Sequence, residues 1–151
     1  MHENLLNGTV SPTAYYNALL TALQTEQELQ LRNYLAGNLG YVYWHRLSDS
    51  ARTANAPDAE SMIWQKLITA ETASEKRQWF GLFRNVAVTE SGLVRLRDLW
   101  KSGELPGGEA ADRPGSGSVR LSEDEQSGLA LTLTLRTVSY THLTLPTNRE
   151  V

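Results

Sequence analysis

Helix-start signals recur along the chain at near-regular intervals, and each is followed by apolar residues at helical spacing. Ser11-Pro12 places a capping hydroxyl before a proline at the first helical position, with Tyr15, Leu19 and Leu23 behind it. Thr25 and Glu28 form a capping-box pattern ahead of Leu31, Leu35, Leu39, Val42 and Tyr43, which predicts a helix running to about His45 or Arg46. Asp58 caps a third helix carrying Met62, Ile63 and Leu67, whereas Ser48 to Pro57 carries no apolar stripe and reads as a connection. Thr72 and Glu75 repeat the box before Lys76, Trp79, Phe80, Phe83, Val86 and Ala87. Thr89 opens a helix with Leu93, Leu96, Leu99 and Trp100, stopped by Gly103 and Pro106. Ser122 and Glu125 start a last one through Leu129 and Leu133.

Starts near 11, 25, 58, 72, 89 and 122 predict antiparallel helix pairs of about 30–45 residues, the spacing of a HEAT- or armadillo-like α-solenoid. The expected fold class is therefore all-α, with residues 1–135 as one helical-repeat domain. Residues 103–118, GELPGGEAADRPGSGS, hold five glycines and two prolines and read as a flexible loop inside it. Threonine and leucine alternate after Leu131 in the manner of a strand, but an isolated strand has no sheet to join. Residues 136–151 are expected to be an unstructured tail. The segment SYTHLTLPTNREV within it resembles the peptide read from a translated sequencing adapter, which implies that the tail is not biological.

Composition narrows the function classes. At 151 residues the chain makes one domain, and a net charge of -3 with a pI near 5.6 gives no electrostatic footprint for nucleic acid. The absence of cysteine removes disulfides, thiolate metal sites and cysteine nucleophiles together. No apolar run approaches the roughly 20 residues of a membrane span, and MHENLLNG is not a signal peptide. The compartment, cytoplasmic or exported, stays open.

Chemistry-bearing motifs are sparse. HENLL at His2 to Leu6 is half of the zinc-binding pattern H-E-x-x-H, with Leu6 where the second imidazole must stand. His45 and His142 are isolated, and His45 suits the negative end of a helix. Tyr41, Tyr43, Trp44, Trp64, Trp79, Phe80, Phe83 and Trp100 are read as packing rather than as a ligand surface. Arg84, Arg95 and Arg97 are read as solvated helix faces, a fork for a carboxylate being the alternative. The carboxylates of SEDE, Ser122 to Glu125, are explained by capping, and GGEAADRPGSGS lacks the Gly-Lys-Ser/Thr step of a phosphate loop. No catalytic, cofactor-binding or metal-binding residue is assigned.

Four stretches, taken in order, resemble a known family: ENLLNGTVSPTAYYNALLTALQTEQE, NYLAGNLGYVYWHRLS, WFGLFRNVAVTESGLVRLRDLWKSGELP and RLSEDEQSGLALTL. Together they are similar to the C-terminal helical domain of bacterial aminopeptidase N-type (gluzincin) zinc metallopeptidases, over about residues 3 to 135. The resemblance implies a non-catalytic domain that packs on an upstream thermolysin-like catalytic domain of the same parent chain. That domain would hold the zinc, and the helical domain would enclose the active-site chamber and restrict which peptide substrates enter. Neither the zinc ligands nor the Gly-x-Met-Glu-Asn motif occurs here, so this chain is expected to be inactive alone. On this reading Arg84, on the FRN helix, faces the chamber. The long segment between Pro106 and Arg120 departs from the family pattern, and with the adapter-like tail it implies a fragment cut at each end. An independent helical-repeat adaptor that binds a protein partner is the alternative.

Overall fold

The computed structural model describes residues 10–107 and 118–144, with side chains described as far as Val138 in the last helix. They form α1 (Pro12–Thr25), α2 (Leu29–His45), α3 (Asp49–Thr69), α4 (Ala73–Val86), α5 (Glu90–Ser102) and α6 (Glu123–Thr144). Between α5 and α6, β1 (Glu104–Leu105) pairs antiparallel with β2 (Val119–Arg120). The fold is all-α, built from antiparallel helix pairs.

Most helix starts follow from the caps. The Ser11 hydroxyl accepts from the Ala14 N–H at 3.1 Å, with Pro12 in the first turn. Thr72 and Glu75 complete a reciprocal box, Thr72 Oγ1 accepting from Glu75 N at 3.2 Å. Thr89 Oγ1 accepts from Gly92 N at 3.0 Å. At Ser122 the box closes through Glu125 Oε2, which accepts from Ser122 N at 2.8 Å. Each such cap contributes about 1 kcal/mol. At the far end of α5, Gly103 takes the left-handed conformation (φ 69°) and donates its N–H to Leu99 O at 2.9 Å. A side chain there would be strained.

Three sequence expectations are corrected. The Thr25–Glu28 box does not form: α1 runs on through Thr25, and α2 begins at Leu29 with no side-chain cap. Glu26 serves the turn instead, its carboxylate accepting from the N–H groups of Gln27 (2.9 Å) and Glu28 (2.8 Å). Ser48 to Pro57 is not a connection. Ser48 caps α3 by accepting from Ala51 N at 3.2 Å, and the helix passes through Pro57. An internal proline costs about 3 kcal/mol. Arg52 anchors the first turns, donating to Tyr43 O at 3.0 Å and Leu47 O at 3.2 Å. The buried face of this stretch is Ala56, too small to register as a stripe. Finally, residues 136–144 are helical as the continuation of α6. Residues 145–151 lie outside the described part, as do 108–117 of the Gly/Pro-rich loop, whose flanks are closed by the β1–β2 pairing.

The stacking order follows from contacts at the helix ends. Arg32 meets Glu75 at 3.3 Å where α2 and α4 begin, and Trp44 Nε1 donates to Asn85 O at 3.0 Å where they end. Those two helices therefore run parallel. The same holds for α4 and α6, through Arg77–Glu125 at their starts and Arg136 donating to Asn85 O at 3.1 Å further on. On the other layer Lys66 Nζ donates to Gln24 O at 2.7 Å where α3 and α1 end. Three hairpins thus stack in register, α1, α3 and α5 forming one layer and α2, α4 and α6 the other. Leu23, Leu39, Val42, Ile63, Leu67, Phe83, Leu96 and Leu129, all fully buried, fill the space between the layers. Each is worth about 1.5–3 kcal/mol in apolar burial.

One polar group is set into that core. Glu60, 2% exposed on α3, accepts from the N–H groups of Val88 (2.7 Å) and Thr89 (2.9 Å) and from the Thr89 hydroxyl. It thereby satisfies donors at the start of α5 that the helix itself leaves open. A Cβ at Gly92 would collide with the same carboxylate. Glu60→Leu is expected to destabilise the chain by about 2–4 kcal/mol, because buried donors lose their acceptor. Gly92→Ala should cost about 1–3 kcal/mol by overpacking. Denaturant unfolding of both variants checks this, and the double variant should fall short of additive because both losses act on one contact.

Candidate functional site

A cluster of polar and aromatic groups lies where α2 and α4 end against the middle of α6. Trp44, in the last turn of α2, is its centre. The guanidinium of Arg136 lies 4.1 Å from the Trp44 ring centroid and that of Arg52 lies 4.7 Å from it. The indole N–H is shared between the Asn85 backbone oxygen (3.0 Å) and its side-chain oxygen (3.1 Å). Asn85 O also receives Arg136. Burial pulls the Arg136 guanidinium below its ordinary pKa, with the Arg52 charge adding to the effect and Tyr43 and Glu60 opposing it. The arrangement holds a planar aromatic against two cations, and both cations are spent on backbone carbonyls: Arg52 on the end of α2 and Arg136 on the end of α4. It binds helices to each other.

The opposite ends of these helices carry a second set of cations. Arg32, 4% exposed, lies over Trp79 at 5.3 Å and donates to Glu26 O (3.3 Å), Gln27 O (3.1 Å) and the Glu75 carboxylate. Lys76, 1% exposed, donates to Pro106 O at 2.8 Å, and burial lowers its pKa. Arg77 donates to Arg120 O at 3.0 Å and pairs with Glu125. Burial on its own would raise the pKa of Glu75 and of Glu125. Hydrogen bonds outweigh it, from Thr72 and Arg32 to Glu75 and from Arg77 and Ser122 to Glu125, so both carboxyls sit below the ordinary value.

Among the residues singled out in the sequence, Arg84 is half-buried on α4. Its guanidinium lies 5.8 Å from the Phe80 ring centroid and rests on Gly128 of α6, in the space a Cβ there would occupy. Arg95 stacks over Trp64 at 5.0 Å, while Arg97 is exposed on α5. The structure does not bring the three together through any contact among the described residues. Tyr43, Trp79, Phe80 and Phe83 are core; Trp44 and Trp64 are half-buried; Tyr41 and Trp100 are exposed at 42% and 47%. His45 stands in the last turn of α2 with its ring 4.9 Å from that of Tyr41. His2 and the side chain of His142 lie outside the described residues. Among those described, no three His, Cys, Asp or Glu side chains gather as a metal site. No helix among them is long and apolar enough to cross a membrane.

Sequence reading missed the roles of Arg52 and Arg136. Arg52 sat in a stretch without an apolar stripe, and Arg136 fell one residue beyond the expected boundary. The available signal was positional: each is a cation placed to meet the last carbonyls of a neighbouring helix. A shallow groove of about 460 Å³ also separates the C-terminal ends of α1 and α3, lined by Gln24, Thr25, Met62, Gln65, Lys66 and Thr69. No protein-family model, curated protein or solved structure matches the chain.

Arg136→Ala is expected to lower stability by about 1–2 kcal/mol, the scale of a desolvated cation–π contact, and to shift the tryptophan emission. The two depressed carboxyls set an acid limb. Their stabilisation is complete above the unfolded carboxyl value, about 4.3, and is lost as pH falls through the lower folded values. Glu75→Gln and Glu125→Gln should each flatten that limb in a series of melting temperatures taken from pH 7 down to pH 2.

Proposed function

We propose that this chain is a non-catalytic helical domain of an aminopeptidase N-type zinc metallopeptidase, which in the parent enzyme encloses the active-site chamber and limits access to peptides. The four stretches that resemble that family supply α1, most of α2, the second half of α4 with α5, and the first half of α6. The observation that carries the reading is the apolar surface left uncovered on the last hairpin. Trp100 is 47% exposed, Val94 43% and Leu131 61%, all on α5 and α6. Exposed side chains of this size on two adjoining helices suit a unit that packs on a larger body. In this reading the zinc and the recognition of the substrate's free amino end belong to the catalytic domain, and the Arg84 helix lies towards the chamber.

The second reading is an independent helical-repeat adaptor for a protein partner. It is favoured by the closed core between the two layers, which needs no further element to bury Leu23, Ile63 or Phe83. The two readings part on a mixing experiment. The purified chain alone should release no p-nitroaniline from leucine p-nitroanilide. It should associate with the catalytic half of a bacterial aminopeptidase N stripped of its own helical end, and the mixture should show chelator-sensitive hydrolysis of short peptides. Chelator-sensitive hydrolysis by the chain alone would overturn the proposal. A monodisperse chain in light scattering that ignores the catalytic half would favour the adaptor.

A further inference from the structure

Two tyrosines at the centre of the stack have hydroxyls that find no acceptor in the protein. Tyr16 on α1 and Tyr43 on α2 are both fully buried, and the Oη atom of each lacks a hydrogen-bond partner among the described residues. Their ring centroids are 6.0 Å apart, so the two orphan groups belong to one place in the fold. The same neighbourhood holds a third orphan, the buried Nε of Arg136. Its guanidinium lies on Trp44, whose ring stands edge-on to Tyr43 with centroids 5.2 Å apart.

The electrostatics agree on the company these groups keep. Burial, then Glu60 and Asp58, push the Tyr16 phenol up to about 12. Burial, Tyr16 and Glu60 raise that of Tyr43, against the opposing charges of Arg52 and Arg136. Both phenols thus stay protonated, and each has a proton to donate. A buried hydroxyl with no partner is costly, and natural cores resolve such groups with ordered water, which appears about once per 27 residues and takes 2–4 polar partners. Phenylalanine would fill the same space without the cost.

We propose that Tyr16 and Tyr43 enclose an internal hydration site beside Arg136, in which one bound water accepts from the two phenols. The ligand class is water rather than an anion. Both phenolic oxygens can accept as well as donate, and the Glu60 charge already acts on both phenols, so a second negative charge would be disfavoured. The water thus joins α1 to α2 within the first hairpin.

The test uses the full chain and its Tyr16→Phe and Tyr43→Phe variants. Oxygen-17 magnetic relaxation dispersion counts long-lived internal waters, and calorimetry gives the melting temperature. The expected result is that each variant loses dispersion amplitude and melts about 2–4 °C lower, since the water loses a partner and the core gains none. Dispersion equal to that of the unaltered chain in both variants would overturn the proposal, whatever the melting temperatures. So would a melting temperature unchanged or raised in both, the signature of a dry hydroxyl removed. If either variant fails to fold, dispersion measured on the unaltered chain decides alone: no slow water means no site.

Discussion

The third hairpin has its place because one carboxylate is buried under it. Glu60 comes from the middle of α3, yet its oxygens take the N–H groups of Val88 and Thr89, where the chain leaves α4 and enters α5. A helix start is a cluster of donors with a partial positive charge, so a carboxylate there is both hydrogen-bonded and electrostatically matched. Without it, those partly buried donors would lose their acceptor. With it, the direction of α5 is fixed relative to α3, and Gly92 is obliged to be small. Hydrophobic burial between helices tolerates sliding and rotation. A donor–acceptor set of this geometry does not, and this makes it the reference point for the register of the stack.

The remaining polar ties repeat a single device. Arg32, Arg52, Lys76, Arg77 and Arg136 each reach a backbone carbonyl at a turn, a helix end or the short β pairing. The last carbonyls of a helix are unsatisfied and carry partial negative charge, so a cation from a neighbouring element suits them. Long side chains also lay their apolar stems over rings as they do so, as Arg32 does on Trp79 and Arg136 on Trp44. Hairpins that stack by apolar contact alone would be free to shift by a turn. Cations at both ends of the α2–α4–α6 layer remove that freedom and leave the outer faces unconstrained for whatever the stack packs against.

What the sequence made legible was the part governed by local rules. The boxes at Thr72 and Ser122, the cap at Thr89 and the glycine stop at Gly103 are interactions over three or four residues, and each appears in the structure. The failures share a different cause. At Thr25 the box lost to continuation of α1, with Thr25 Oγ1 turning back to donate to Ala22 O at 3.3 Å. The early turns of α3 were hidden because what holds them is Arg52 gripping carbonyls of α2, a contact between elements that no periodicity announces. The role of Glu60 went unread for the same reason, since its partners lie on another element. Of the candidate site, Arg84 was correctly placed on a helix, but the neighbour that it rests on, Gly128, is 44 positions away.

The extension of α6 past Leu135 shows how little a helix end says about a sequence's origin. Once Leu129 is buried and Arg77 and Ser122 hold Glu125, the nucleus of α6 is already formed, and each further residue only has to add one bond. Thr132, Thr134 and Thr137 are accommodated there by donating their hydroxyls to carbonyls four residues back, at 2.7–2.9 Å. The alternation that looked like a strand is thus absorbed into a helix by propagation from that nucleus, its threonine hydroxyls being satisfied locally. Arg136 then happens to arrive in register with Trp44 and the end of α4. A segment joined to a well-nucleated helix takes on its conformation whether or not selection shaped it, so the helical state of 136–144 and the adapter-like reading of SYTHLTLPTNREV bear on separate questions. Arg136, through Trp44 and the Asn85 carbonyl, ties that stretch energetically to the stack.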